Sequence, residues 1–231
     1  MKNTIKFGIG TMLATMLLVS MTLMPVAGAT NQNTESMFKS DMLSYVDIEE
    51  VYQSVNIYIS KHPKATEEQV NQYTLKQIRK LYAKSESNKE ITTQSSISGN
   101  TLNPEEKKLF KENPWKGIKA CYYGSVAIEE TKIVCGESGV DDASDAFRHA
   151  YWNALMVKHI DYSWADRWAT AHEEDSDGIS TEMDLWNNNE GRLIAANNPD
   201  DTDNELSDKV MDALNVGVLR KIENNELVPT P

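Results

Sequence analysis

Three short motifs rich in ionisable and amide side chains lie close together in this chain, between residues 141 and 192. They read DAFRHAYWNAL (residues 145–155), AHE (171–173) and MDLWNNNEGR (183–192). Each motif places polar groups among apolar residues at helical spacing, and a buried polar group without a partner costs about 1–3 kcal/mol. These groups must therefore bond to one another, to a metal ion or to a substrate.

The first motif carries a carboxylate, a guanidinium and a histidine on one face of a predicted helix. Asp145 and His149 are four residues apart, which makes them neighbours on a helix surface. An aspartate can fix the tautomer of a histidine and leave the other ring nitrogen free for a metal or a proton. Because apolar residues surround this stripe, we expect it to face a specific partner and not water.

The second motif places a histidine on the apolar stripe of a helix predicted to begin at Ser163. His172 lies inside that stripe, and Glu173 points about 100° away from it. Adjacent helical residues rarely bind one ion together. We therefore expect one of them to ligate a metal and the other to support that ligand or act as a base.

The third motif combines poor helix formers on one stripe of a helix predicted over residues 181–196. Asparagine costs up to about 0.7 kcal/mol and glycine about 1 kcal/mol relative to alanine inside a helix. Such a violation of local propensity is typical of a site. The amides of Asn187 and Asn188 could bond to backbone, metal or substrate, and Gly191 would let a second backbone or a ligand approach closely.

Together the motifs predict a divalent metal site and a hydrolytic reaction. Imidazole and carboxylate donors suit zinc first, with manganese or iron as alternatives. The predicted metal ligands are His149, His172, Asp184 and Asp145. The predicted catalytic residues are Glu173 as base, Arg148 and Arg192 as stabilisers of negative charge, and Asn188. Metal-bound water would attack a phosphoester, and a metal-free His–Asp hydrolase is the enzymatic variant.

A non-enzymatic hypothesis explains the same residues without chemistry. The Asp, Arg, His and Asn side chains could form a closed hydrogen-bond network that fixes the packing of a secreted or wall-associated binding protein. Such networks are stable when every group in them is satisfied. Metal content separates the two hypotheses, because a closed network needs none.

The motifs, in this order, resemble a family of bacterial domains of unknown function. That family includes secreted proteins and C-terminal modules of large wall-associated or polymorphic-toxin-like proteins. The resemblance covers residues 141–196 and rests on DAFRHAYWNAL, AHE and MDLxNNxxGR. It brings no established reaction, so it supports the position of the site and implies an extracellular bacterial setting.

The elements that must position these motifs predict an all-α, multi-helix protein with the polar site between three helices. Residues 1–29 have the charged start, apolar run and small-residue cleavage site of a secretory signal peptide; an uncleaved anchor would be the only membrane contact. Residues 30–82 predict an α-hairpin, with one helix over 35–59 and a second after a capping box at Thr66. A polar, flexible linker is expected at 83–100, followed by a helical domain over 101–231.

In that domain, residues 115–134 fit either a helix or a strand. A final helix is predicted from the four-residue repeat of Leu206, Val210, Leu214, Val218 and Ile222.

The net charge limits the kinds of partner that this protein is expected to bind, and the cysteine content indicates whether a disulfide is expected. The formal net charge is −12, and it becomes −14 once residues 1–29, with two lysines and no acids, are removed. So acidic a protein is not expected to bind nucleic acid broadly, although a bound cation can reverse the local field. Cys121 and Cys135 are the only cysteines. In a secreted protein such a pair predicts one disulfide, with two free thiols as the alternative.

Overall fold

The computed structural model describes residues 42–87, 102–174 and 178–231. These residues have the predicted all-α fold, with two short strands near residue 229. A 3-10 helix (Met42–Tyr45) precedes the helices, which are α1 (Ile48–Lys61), α2 (Glu67–Ser87), α3 (Pro104–Glu112), α4 (Pro114–Cys135), α5 (Ala143–His159), α6 (Tyr162–His172), α7 (Ile179–Asn197) and α8 (Asp203–Asn215). Strands β1 (Arg220–Glu223) and β2 (Glu226–Pro229) pair antiparallel.

Helices α1 and α2 form the predicted hairpin, with different ends. The first helix begins at Ile48 because the Asp47 side chain caps it by accepting a hydrogen bond from the Glu50 amide at 3.1 Å. Helix α2 runs to Ser87, five residues into the predicted linker. The predicted signal peptide and the rest of the linker lie outside the described residues. Within the described ranges, no helix is long and apolar enough to cross a bilayer.

Helix α5 is the centre of the fold. Twelve of its 17 residues are buried, because α4, α6, α7 and α8 pack around it. Helix α7 crosses it so closely that a Cβ atom at Gly191 would overlap the carbonyl oxygen of Ala150. This confirms that Gly191 permits the close approach of a second backbone. The two helices that carry most of the motif residues are therefore in direct backbone contact.

The ambiguous segment after Trp115 is helical, and this makes the predicted disulfide wrong. Cys121 and Cys135 lie on the same helix, α4, and both are free. Fourteen residues at a rise of about 1.5 Å each separate their Cα atoms by about 21 Å. A disulfide needs Cα atoms within about 7 Å. The sequence spacing suits a disulfide loop, but a continuous helix keeps the two thiols apart.

The predicted final helix is too long. Helix α8 ends at Asn215, and Gly217 then takes a left-handed conformation with φ 74°. Asn224 and Asn225 have φ values of 53° and 63°, as a type I′ hairpin turn requires, so Ile222 lies on a strand. The amide of Ile222 donates to the carbonyl oxygen of Asp141 at 2.8 Å, which ties the hairpin to the start of α5.

Candidate metal centre

Two carboxylates and one imidazole meet between the N-terminal halves of α5 and α7. Asp145 Oδ1 lies 3.3 Å from His149 Nε2, and Asp184 Oδ1 lies 3.5 Å from the same nitrogen. One ligand atom from each residue lies within 4.8 Å of the other two, so this group could hold a metal ion. Three of the four predicted ligands are therefore brought together.

The Asp184 carboxylate is the least satisfied group of this cluster. Its Oδ1 atom is buried and has no hydrogen-bond partner within the described residues. Burial first, and then the negative charges of Glu173 and Asp145, raise the pKa of Asp184 to about 7, against the opposing charge of His149. A buried, unpaired carboxylate is costly, so a proton or a cation must neutralise it.

The opposite edge of the His149 ring is held by the second and third motifs. Nδ1 lies 3.3 Å from Asn188 Oδ1 and 3.7 Å from Glu173 Oε1. Asn188 in turn donates from Nδ2 to Glu173 Oε1 at 3.3 Å. Nδ1 is therefore the donor at this edge, and Nε2 faces the two aspartates, where it donates to Asp145 while no ion is bound and would offer its lone pair to a bound ion. A histidine that ligates a metal through Nε2 needs this proton on Nδ1.

The pKa of His149 is raised, although burial alone would lower it. The hydrogen bond with Asp145 and the negative charges of Asp184, Asp145 and Glu173 outweigh that burial. In Asp145 the balance runs the other way: burial would raise its pKa, but its bond with His149 and the charge of Arg148 lower it. The cluster therefore attracts positive charge.

Asn153, to which the sequence analysis gave no role, supports the ring from behind. It is fully buried, and its Nδ2 donates to Asn188 Oδ1 at 2.6 Å. Its own oxygen accepts from Arg192 Nη1 at 2.9 Å. Arg192 continues to Asp166, where Nη2 lies 3.0 Å from Oδ1. Arg192 is thus engaged behind the centre, and the position of Asn153 four residues after His149 was the available signal.

The other arginine, Arg148, borders the centre. Its Nη2 pairs with Asp145, and its Nη1 donates to Ser138 Oγ at 3.0 Å and to the Gly139 carbonyl at 2.9 Å. It neutralises one carboxylate of the cluster and fixes the loop before α5. About a fifth of its side chain is exposed, and it lines the same cleft as His149.

The fourth predicted ligand, His172, lies outside this group. Its Nδ1 is 2.8 Å from Oε1 of Glu106, a carboxylate on α3 that sequence reasoning did not connect with the site. Glu106 is 5% exposed, whereas the imidazole of His172 is 44% exposed. The only sequence signal for Glu106 was its place in a helix-capping pattern after Asn103.

A cleft of about 830 Å³ opens beside the centre. Helix α4 forms one long wall, and the facing side includes Arg148, His149, Trp152, Trp168 and His172. Both imidazoles reach this cleft, and the two tryptophans give it an apolar floor. Of the three cluster residues, only His149 lines this cleft, whose volume is large enough to admit a small organic molecule.

A family model described as a domain of unknown function (DUF6973) matches residues 107–218, just under half of the chain. The match includes all three motifs and every residue of the ligand cluster. No curated protein and no solved structure matches this chain. An uncharacterised domain family thus covers the region of the centre, while the bacterial and secreted setting stays a prediction.

Proposed function

We propose that this protein is a metal-dependent hydrolase whose centre consists of Asp145, His149 and Asp184. One observation carries the proposal: the Oδ1 atom of Asp184 is buried, lacks a hydrogen-bond partner in the described part of the chain and lies 3.5 Å from His149 Nε2. A divalent cation bound by the three residues would neutralise that oxygen and use the lone pair of the imidazole.

The closed hydrogen-bond network remains the second candidate, and one set of contacts favours it. Glu173, Asn188, Asn153 and Arg192 form a continuous chain of hydrogen bonds. A purely structural network, however, would be expected to satisfy Asp184 as well, because an unpaired buried acceptor costs about 1–3 kcal/mol. We therefore assign the chain of amides to orienting His149, and the aspartates to a metal.

The donor set suggests the metal and its chemistry. One imidazole and two carboxylates suit zinc, with manganese or iron as alternatives, and three protein ligands leave a position for water. Zinc lowers the pKa of bound water to about 7, which supplies hydroxide near neutral pH. Arg148 lines the cleft beside His149, and it would attract an anionic phosphoester to the centre.

The remaining motif residues take positioning roles in this proposal. Glu173 and Asn188 hold the edge of His149 that faces away from the aspartates, and Arg192 holds Asn153 behind them. Such outer partners fix the ring and raise the basicity of the ligating nitrogen. We further propose that residues 1–29 direct secretion, and that no broad binding of nucleic acid accompanies the reaction.

Metal analysis and hydrolysis assays on the same preparations test the proposal. Wild-type protein should hold about one equivalent of metal and hydrolyse methyl p-nitrophenyl phosphate, with activity lost on chelation and restored by zinc or manganese. His149→Ala should lose both properties. His62→Ala, which removes an exposed histidine from the turn after α1, is the matched control. Protein without metal and without activity, but with native stability, would favour the network.

A further inference from the structure

A second ionisable pair, Glu106 and His172, lies on the same cleft as the metal centre. Nδ1 of His172 bonds to the buried Glu106 carboxylate at 2.8 Å. Because Nδ1 is taken by this bond, Nε2 is the ring nitrogen left for a molecule in the cleft. A carboxylate that accepts from one ring nitrogen of an imidazole fixes the orientation of the ring.

The pair is held in place by several further contacts. Oε2 of Glu106 accepts from the Asn103 amide at 2.8 Å, and the Asn103 side chain donates to the Ala171 carbonyl at 2.6 Å. These bonds join the start of α3 to the end of α6. The ring of Trp152 meets His172 edge-on at 5.0 Å, and its indole nitrogen is fixed by the Ala120 carbonyl at 2.9 Å. The imidazole is therefore positioned before any ligand binds.

The distance between the two histidines suits two different roles in one reaction. The ring centroids of His149 and His172 are 6.5 Å apart. Both rings line the same cleft, so one substrate could contact an ion on His149 and the free nitrogen of His172. Proton transfer needs such a side chain within hydrogen-bond reach of the reacting atom, which the cleft permits.

We propose that His172, positioned by Glu106, is the general acid that protonates the leaving group in the hydrolase reaction. This inference rests on the proposed function. A metal ion held by Asp145, His149 and Asp184 would supply hydroxide from water, with the proton going to solvent. As the hydroxide oxygen forms a bond to phosphorus, the bond to the leaving oxygen would break, with its electron pair kept by that oxygen. Nε2 of His172 gives its proton to this oxygen, and solvent then returns a proton to the ring.

The assignment also defines the substrate class. A leaving group that is stable as an anion needs no proton, whereas an alkoxide leaves poorly without one. A dedicated acid in the cleft therefore points to phosphodiesters whose leaving group is an aliphatic or other weakly acidic alcohol. Activated aryl esters would bypass His172 and would report only on the metal centre.

The experiment compares two substrates of the metal-loaded protein, methyl p-nitrophenyl phosphate and methyl phenyl phosphate. His172→Asn should lower kcat for the phenyl ester at least about 100-fold and for the nitrophenyl ester less than about threefold. Glu106→Gln should give a smaller loss with the same preference, because its amide oxygen can still hold the ring. Both variants should keep about one equivalent of metal. His159→Asn is the matched control, since His159 is also paired with a carboxylate, Asp203, at 2.8 Å.

Each other result overturns the assignment in a recognisable way. Loss of metal from His172→Asn would make His172 a ligand. An equal loss of rate on both esters would make the pair a packing feature. If wild-type protein turned over neither ester, the hydrolase proposal itself would fail and the acid role with it. If the acid role alone fails, wild type stays active and His172→Asn either keeps its rate on both esters or loses it equally on both.

Discussion

Replacing Asp184 by asparagine should make the metal-free protein more stable and should abolish metal binding. The reason is the buried Oδ1 atom, which finds no hydrogen-bond donor among the described residues. An amide keeps the shape of the side chain and removes its charge. The same substitution therefore separates two effects of Asp184: the loss of stability caused by its buried, unpaired charge, and its role as a metal ligand.

The size of the gain follows from the pKa of this carboxyl, which burial and neighbouring acids raise from 3.8 to about 7. The folded protein binds this proton more tightly than the unfolded chain does. Its contribution to stability is therefore present below about pH 4 and is lost as the pH rises through about 7. At 1.36 kcal/mol per pKa unit, ionised Asp184 costs on the order of 4 kcal/mol at pH 8. Burying the new amide offsets about 1–3 kcal/mol, so we expect a net gain of about 1–3 kcal/mol.

Urea unfolding followed by circular dichroism, with chelator and then with zinc, measures both effects. In chelator the variant should exceed wild type in stability at pH 8 and match it closely at pH 5. A metal at 100 times its Kd should stabilise wild type by about 2.7 kcal/mol and leave Asp184→Asn unchanged. Asp208→Asn, an exposed carboxyl on α8, is the control. A gain that is the same at both pH values would refute the reasoning, as would equal stabilisation by zinc.

Three further predictions concern the scaffold. Gly191→Ala should lower the free energy of unfolding by about 3 kcal/mol, because its Cβ would overlap a backbone oxygen that cannot move aside. Asn187→Ala should cost about 2–4 kcal/mol, because its amide donates to the Arg220 carbonyl and accepts from the Arg220 amide, both at 2.9 Å. Cys121 and Cys135 should both react with a thiol reagent when the protein is unfolded without reductant.

Matched controls separate these effects from general damage. Gly124→Ala also changes a glycine inside a helix, but its Cβ would lie 3.4 Å from the Trp152 ring, an ordinary contact, so it should be neutral or slightly stabilising. Asn189→Ala is the matched control for Asn187→Ala. For the thiols, Cys135→Ser should leave one reactive group. Unchanged stability in Gly191→Ala, or unfolded protein without reactive thiols, would contradict the packing described for α7 and α4.

Features that depend only on residues close together in sequence were predictable. The capping box at Thr66 is present, with the Gln69 amide donating to the Thr66 hydroxyl at 3.3 Å and Gln69 Oε1 accepting from the Thr66 amide at 2.9 Å. Gly191 and the polar stripe around His149 were recognisable for the same reason. Each is a place where the residue type either fits or departs from what a helix position favours, and this can be seen without knowledge of the tertiary fold.

The side-chain positions that depend on where a helix ends, or on a partner far away in sequence, could not be predicted. The helical wheel put His172 on the buried stripe and Glu173 at its edge, but α6 ends at His172 and Glu173 begins a turn. The buried member is therefore Glu173, and the half-exposed one is His172. The Glu106 partner is 66 residues away in sequence, so no local pattern could connect the two.

The hydrogen bonds between Asn187 of α7 and the backbone of Arg220 in the β1–β2 hairpin have a consequence for folding during synthesis. On the ribosome, α5, α6 and α7 emerge before residue 220 leaves the exit tunnel. Until then the side-chain amide of Asn187 lacks its hydrogen-bond partner, the backbone of Arg220. The loop at Asp141 likewise lacks the hydrogen bond from the amide of Ile222. The nascent chain thus carries the candidate metal-binding residues on helices that lack their contacts with the hairpin, and these residues are expected to reach their final positions only after the hairpin has formed.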